Sequence, residues 1–364
     1  MPDVYRKAVE FIDGGRSFAM AVVLDTDGST PQRTGVRALI EETGNIWGTL
    51  GGGIVEAEAQ RHAVDAQRQP VDACGLKRPV VLALDLKHAY ARDAVAICGG
   101  RMRILIDPTA SKDRACYARV AEARERRERG VLVTTVCEAE ETLVALQWLP
   151  EDAISETAGF PDAEAIRSCV ARETPQVFMT DLPEPGASMV VLVEPVIPNP
   201  VLLIVGGGHV GQAIARLAGP IGFDITVIDD RPEFTNPALF PEGAVTRCGD
   251  VAKELAAFPI TNDVFIVLVT RGHKYDAEAL EACIHAPAAY VGMIGSKRKV
   301  AMIRKNFIES GLATENEWNR VFAPIGFDIG AITVPEIAVS IAAQLIAVRR
   351  KGTGHAPARG TVAP

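Results

Sequence analysis

The chain has 364 residues, 48% hydrophobic and 23% charged, the make-up of a folded protein of two or three domains and not of a disordered one. Asp and Glu total 46 against 38 for Lys and Arg, a formal charge of −8, so the molecule as a whole attracts neither a nucleic-acid backbone nor an anionic membrane. Residues 1–15 scatter Asp3, Arg6, Lys7, Glu10 and Asp13 among apolar ones, and every apolar stretch falls short of the roughly 20 residues of a membrane span, so a cytoplasmic protein is expected. Seven cysteines, at 74, 98, 116, 137, 169, 248 and 283, are spread without a CxxC pair, as thiols in a reducing compartment are.

In chain order, the first half reads as mixed α/β. Strands are predicted at Phe18 to Leu24 and Ala38 to Ile40, a helix at Ile54 to Gln67, and strands at Val80 to Leu84 and Met102 to Ile106. A charged surface helix follows at Ala115 to Arg129, then strands at Val131 to Val136 and Met189 to Val193. Three prolines in Glu194 to Pro200 mark a linker, because each removes a backbone donor and pushes its predecessor toward extended conformations. The expected division is an N-terminal domain over 1–193, a linker over 194–200, a Rossmann-like domain over 201–350 and a flexible tail over 351–364.

The second half alternates strands and helices, the pattern of a doubly wound parallel sheet. Val201 to Val205 is a continuous apolar run, as in a strand buried on both faces, and it leads through GGGHVG into a helix at Gln212 to Ala218. Further strands are predicted at Asp224 to Ile228, Ala244 to Arg247, Val264 to Thr270 and Tyr290 to Ile294, with helices around Lys253, Glu278 and Val300. A final helix opens on Thr333-Val334-Pro335-Glu336 and carries the stripe Ile337, Ile341, Leu345 and Val348.

Gly206, Gly208 and Gly211 satisfy GxGxxG after a strand and before a helix, with Asp229 and Asp230 at the end of the next strand. The first glycine permits the turn, the second admits a pyrophosphate and the third lets helix and strand pack, while an acid there can hold ribose hydroxyls. His209 inside this loop either reaches the ligand or packs locally. Gly295 to Lys299, with Ser296 and Lys297, either cradles a phosphate or is a solvated helix start. Asp276 could pair with His273 but is better placed as a helix N-cap. In the first half, Gly51, Gly52 and Gly53 open a helix and read either as a second anion site or as a turn complemented by Glu56. Cys98, followed by Gly99 and Gly100 with Arg101 and Arg103 near, is either a thiolate stabilised by positive charge or an inert packed thiol.

Taken together, GSTPQRTG, GGGIVE, CGGR, EPVIPNPVLLIVGGGHVG, VIDDRPEF, LVTRGHKYDAEAL, YVGMIGSKRK and PIGFDIGAITVPEIAVSIAAQLIAVRR resemble the XdhC/CoxI family of xanthine dehydrogenase accessory proteins, nearly end to end. The resemblance implies two domains, self-association into a homo-oligomer, and a cytoplasmic maturation factor. Such a factor binds molybdenum cofactor (molybdopterin) and assists its sulfuration, with a cysteine desulfurase as sulfur source, and its insertion into a xanthine dehydrogenase-type molybdenum hydroxylase. It makes Cys98 the candidate molybdenum ligand or sulfur handler, Gly206 to Gly211 the glycine loop, and Asp229 and Asp230 the acidic strand end. The expected arrangement has the cofactor spanning a cleft between the halves, Cys98 toward molybdenum and the glycine loop toward phosphate. Two positions depart from the family: Ile54 stands where many members carry cysteine, and Gly207 where alanine is commoner. The alternative is an NAD(P)-dependent oxidoreductase using the Rossmann half, which leaves the glycine and cysteine loops of the first half unexplained.

Overall fold

The computed structural model describes residues 3–69, 77–86, 99–156 and 159–352. The chain forms two units that meet in sequence at Pro198 and Asn199.

The N-terminal unit is built on two antiparallel sheets. Its elements are α1 (Val4–Asp13), β1 (Phe18–Asp27), β2 (Arg37–Glu41), β3 (Ile46–Gly48), α2 (Gly53–Arg68), β4 (Val80–Asp85), β5 (Arg101–Asp107), α3 (Arg114–Glu125), β6 (Gly130–Glu138), β7 (Thr142–Pro150), α4 (Ala163–Arg172), β8 (Gln176–Asp181) and β9 (Ser188–Val196). The first sheet runs β3-β2-β1-β5-β4 and the second β7-β6-β9-β8. Strand alternation sorts the side chains of β1 into two cores. Phe18, Met20, Val22 and Leu24 face α1, α3 and the inner face of the second sheet, whereas Ala19, Ala21 and Val23 are small enough to let α2 lie close on the other side. The outer face of the second sheet is covered by α4 through Ile166 and Val170.

The C-terminal unit comprises β10 (Val201–Val205), α5 (His209–Ala218), β11 (Asp224–Asp229), β12 (Val245–Cys248), α6 (Val251–Ala257), β13 (Val264–Leu268), α7 (His273–Cys283), β14 (Tyr290–Met293), α8 (Lys297–Glu309), α9 (Glu315–Trp318), β15 (Val321–Phe322) and α10 (Val334–Lys351). All neighbouring strands are parallel, in the order β12-β11-β10-β13-β14-β15. Counted from the first strand of this unit that is 3-2-1-4-5-6, the Rossmann order, with its switch point between β10 and β13. Leu202 and Ile204 face α5 and α10, and Leu203 and Val205 face α7 and α8, so the unbroken apolar run of β10 is explained by helices on both faces.

The sequence places Glu194 in a linker, but β9 continues through Val196 and carries it into the second sheet. Pro195 is tolerated in that strand opposite Val131. The role of Glu194 is electrostatic: its carboxylate takes the Arg37 guanidinium, with Nε at 3.2 Å from Oε1 and Nη2 on Oε2, while Nη2 also donates to Thr134 Oγ1 at 2.7 Å. Both side chains are almost completely buried. The pair ties β2 of the first sheet to β9 and β6 of the second. Glu194→Ala strands a buried guanidinium and is expected to cost about 3–5 kcal/mol in urea denaturation of the full chain.

Candidate functional site

In the N-terminal unit three of the motif segments converge. The turn after β1 begins at Gly28, and the chain bends into β5 at Gly100. A β-carbon on Gly100 would sit 2.4 Å from the Asp27 carbonyl oxygen and 2.7 Å from that of Ser29, so any larger residue would push the two backbones apart. Gly51, at φ +105°, abuts Pro31 of the same turn, where a β-carbon would lie 2.6 Å from the proline ring. The segments 28–31, 51–53 and 99–100 thus form one cluster, and exposed Ser29, Gly51, Gly53 and Gly99 lie at its surface. Cys98 immediately precedes the last of these segments in sequence and lies outside the described residues.

Glu56, in the first turn of α2, fills the glycine corner from inside. Its Oε1 accepts from the amides of Leu50 at 2.8 Å and Gly52 at 3.0 Å and from Thr49 Oγ1 at 2.5 Å. Burial pushes this carboxyl up, but the Thr49 hydroxyl and the loop amides outweigh it and hold the group below its ordinary range. Glu56 thus complements the turn at Gly51 to Gly53, committing the Leu50 and Gly52 amides, while the Gly51 amide donates to Thr49 Oγ1 at 3.1 Å. Ile54, at the departing position, packs on the core beneath α2. The cations that follow Cys98 in sequence are also engaged: Arg101 pairs with Asp85 at 3.3 Å, and Arg103 with Asp25 at 3.4 Å and with Glu138.

In the C-terminal unit the glycine loop follows β10 as expected. Gly211 packs on Gly206, whose carbonyl oxygen a β-carbon at Gly211 would meet at 2.0 Å, so α5 rides directly on the strand. Gly208 faces open space, with nothing within 4 Å of a β-carbon there. The amides of Gly208, His209 and Val210 at the start of α5 have no acceptor among the described residues, an arrangement suited to an anion. His209 is the first residue of α5 and is exposed.

Gly207 answers one of the family departures. A β-carbon there would lie 2.1 Å from the Phe234 carbonyl oxygen, because the turn Pro232–Phe234 is laid over the loop. Its amide donates to Asp229 Oδ2 at 2.8 Å. Asp229 is buried and also holds Arg231, through Nε at 2.9 Å and Nη2 at 3.0 Å. Burial opposes ionisation of Asp229, yet the Arg231 guanidinium, the Gly207 amide and the Arg231 amide together lower its pKa. Asp230, more exposed, pairs with Arg271 at 2.9 Å.

Two sequence readings of this unit are revised. Asp276 is no N-cap: Gly272 caps α7 and Asp276 is its fourth residue, fully buried, accepting from the Thr270 amide at 3.1 Å and hydroxyl at 2.5 Å and from Lys299 Nζ. A buried carboxylate there is satisfied by the β13 loop and α8, which a capping position would not allow. The side chain of His273 lies outside the described residues. At GSKRK, Ser296 caps α8 by accepting from the Lys299 amide at 3.3 Å and Lys297 is exposed, whereas Lys299 turns inward. Sequence reasoning passed over Arg37, Glu194, Arg231 and the inward role of Lys299. The signal for Arg231 was present as the residue directly after the acid pair.

Among the described cysteines, burial pushes Cys116 and Cys169 up to about 11 and Cys283 up to about 12, which removes thiolate at neutral pH, while Cys248 is exposed. No group of three His, Cys, Asp or Glu among the described residues could hold a metal, and no described helix is long and apolar enough to cross a membrane.

Fold and loops together define a two-unit α/β protein with a Rossmann unit bearing an open glycine loop. Residues 202–345 match the XdhC Rossmann domain and residues 11–71 the XdhC and CoxI family, and the chain belongs to that family. Three relatives cover nearly all of it. An uncharacterized protein, YqeB, of Escherichia coli K12 is 26% identical over 97% of this chain, which spans about half, 47%, of that protein's length. A probable xanthine dehydrogenase subunit of Bacillus subtilis 168 is 23% identical, covering 91% of this chain and 93% of its own. The molybdenum cofactor insertion chaperone PaoD of Escherichia coli K12 is 22% identical, covering 95% and 88%. The crystal structure of a xanthine dehydrogenase from Bacillus halodurans shares the fold, with a TM-score of 0.72 at 22% identity over 97% of this chain and 98% of that one.

Two outcomes follow for the glycine loop. Gly207→Ala must displace the Phe234 turn and is expected to cost about 1–3 kcal/mol in denaturant unfolding. Asp229, with its pKa lowered on folding, stabilises the protein above the ordinary value of 3.8 and loses that contribution as pH falls through the lowered one. Asp229→Asn is therefore expected to be less stable than the parent at neutral pH, and the gap between their unfolding midpoints to shrink in acid.

Proposed function

We propose that the protein is a maturation factor that binds molybdenum cofactor and assists its sulfuration and insertion into a xanthine dehydrogenase-type molybdenum hydroxylase. The observation that carries this reading is the convergence of the turn at Gly28, the corner at Gly51 and the Gly99-Gly100 bend into one cluster of exposed backbone. The residue that leads into that bend in sequence is Cys98, a soft thiolate donor suited to a metal–dithiolene centre. The names of two relatives, one a molybdenum cofactor insertion chaperone and one a probable xanthine dehydrogenase subunit, support the same assignment.

The residues fit such a group in kind. In the N-terminal sequence Cys98 offers a thiolate for molybdenum; the C-terminal unit, taken by itself, offers the amides of Gly208, His209 and Val210, which have no acceptor among the described residues, as donors suited to a phosphate. Ser296 and Lys297, at the exposed start of α8, add a hydroxyl and a positive charge on the same carboxyl-end side of the parallel sheet. When bound, the cofactor supplies the molybdenum that the hydroxylase uses in redox chemistry. The protein itself acts as a carrier: its groups bind, orient and release, with sulfur supplied by a cysteine desulfurase and the chain self-associating.

The test is the molybdenum and pterin content of the protein purified from a host that makes the cofactor, by elemental analysis and by fluorescence of the oxidised pterin. Near-stoichiometric pterin is expected in the parent, with loss of molybdenum and of hydroxylase activation in Cys98→Ser. A parent free of pterin, or a Cys98→Ser variant that retains cofactor and still activates the hydroxylase, would defeat the assignment.

A further inference from the structure

The strand-end acid that receives ribose in a dinucleotide site is saturated from within in this protein. Asp229 Oδ1 accepts from the Arg231 amide at 3.0 Å and from Arg231 Nε at 2.9 Å, and Oδ2 from the Gly207 amide at 2.8 Å and from Arg231 Nη2 at 3.0 Å. A carboxylate offers about four lone-pair positions, and all are filled. The donor that fills two of them is itself clamped: the Arg231 guanidinium lies 3.8 Å from the centre of the Phe234 ring, and the Phe234 amide returns to the Arg231 carbonyl at 3.0 Å. The neighbouring acid gives no substitute. Asp230 holds Arg271 at 2.9 Å and stands 3.6 Å from Arg231 Nε, so two carboxylates and two guanidiniums close into a neutral chain across the ends of β11 and β13.

From this we infer that Arg231 fixes the ligand class of the Rossmann unit: the glycine loop takes a phosphate ligand that presents no ribose diol to Asp229, and NAD(H) and NADP(H) are rejected. A vicinal diol would bring two donors to a carboxylate with no acceptor left, and its hydroxyls would stay unpaired in a buried place. A 2′-phosphate fares no better. Both arginines are already neutralised, and a dianion would meet Asp229 and Asp230 as like charges. The open face at Gly208 and the α5 amides without an acceptor among the described residues are untouched by this closure, so a phosphate can still be held there. The inference rests on the carrier reading only for the identity of the accepted phosphate, the cofactor's own; the rejection stands on the side-chain geometry alone.

The experiment is titration of NADH and NADPH into the full-length protein, followed by nicotinamide fluorescence, for the parent, Arg231→Ala and Arg231→Lys, with circular dichroism to establish folding. Arg231→Ala returns one acceptor position to each Asp229 oxygen, which matches the two hydroxyls of a diol. The parent is expected to bind neither nucleotide more tightly than about 1 mM. Arg231→Ala is expected to gain at least about tenfold in NADH affinity, with NADPH unchanged, one recovered pair of hydrogen bonds being worth that factor or more. Arg231→Lys, which keeps the charge but not the fork, is expected to fall between, and it carries the comparison if the alanine variant does not fold. Micromolar NADH or NADPH binding by the parent overturns the inference, and so does a set of folded variants that reject NADH as the parent does. Pterin content, read on the same preparations, reports separately on the carrier assignment: a protein without pterin that also rejects NADH until Arg231 is replaced would remove the carrier reading and leave this one in place.

Discussion

The N-terminal unit turns on a single buried ion pair. Arg37 begins β2 one residue beyond the GSTPQRTG turn, and its guanidinium crosses to Glu194 and Thr134 in the other sheet. Burial penalises the Arg37 charge, but Glu194 outweighs that penalty and keeps it firmly protonated, while burial first and the same carboxylate second raise Tyr5 to about 12. Apolar residues would pack the two sheets as well and at less cost in desolvation. What a guanidinium adds is register: only one alignment of β2 against β9 and β6 satisfies all of its bonds, and that alignment also fixes where the turn before it meets Gly100.

The two units solve the problem of bringing backbone close to backbone by the same means. At Gly100 the β5 entry presses on the turn after β1, and at Gly207 the Phe234 turn presses on the glycine loop; in each case a methyl group would occupy a space already held by a carbonyl oxygen. The difference lies in what is left over. At the first glycine corner Glu56 takes the Leu50 and Gly52 amides and Thr49 that of Gly51, whereas the amides of Gly208 to Val210 have no acceptor among the described residues. The carboxylate four residues after Gly52 thus sets which backbone donors of the first corner stay open.

Much of the C-terminal unit was legible in the sequence because its signals are local. An unbroken apolar strand, a glycine loop at its end, alternation with amphipathic helices and a capping Glu336 on the Ile332 and Thr333 amides each declare themselves within a few residues. The N-terminal unit was less legible. β7 alternates half-buried with exposed positions, and β8 is only partly covered, so neither shows the run of apolar residues that marked β1. Glu194 read as linker because its prolines are near in sequence, while its partner lies 157 positions away. Asp276 read as a cap for the same reason: the local pattern is that of a helix start, and the Lys299 that recruits it into the interior belongs to the next helix. Side-chain commitments of this length, not element types, are what a single sequence conceals.

The bond from the Gly207 amide to Asp229 has a thermodynamic reach beyond the loop that it closes. It fixes the peptide plane entering α5 before any ligand arrives, and the Phe234 turn above it removes the remaining freedom. A flexible glycine loop would lose conformational entropy on each capture of an anion; this one has already lost it on folding. Capture of an anion at α5 then requires little rearrangement of the chain, and the entropy not lost at that moment adds to affinity.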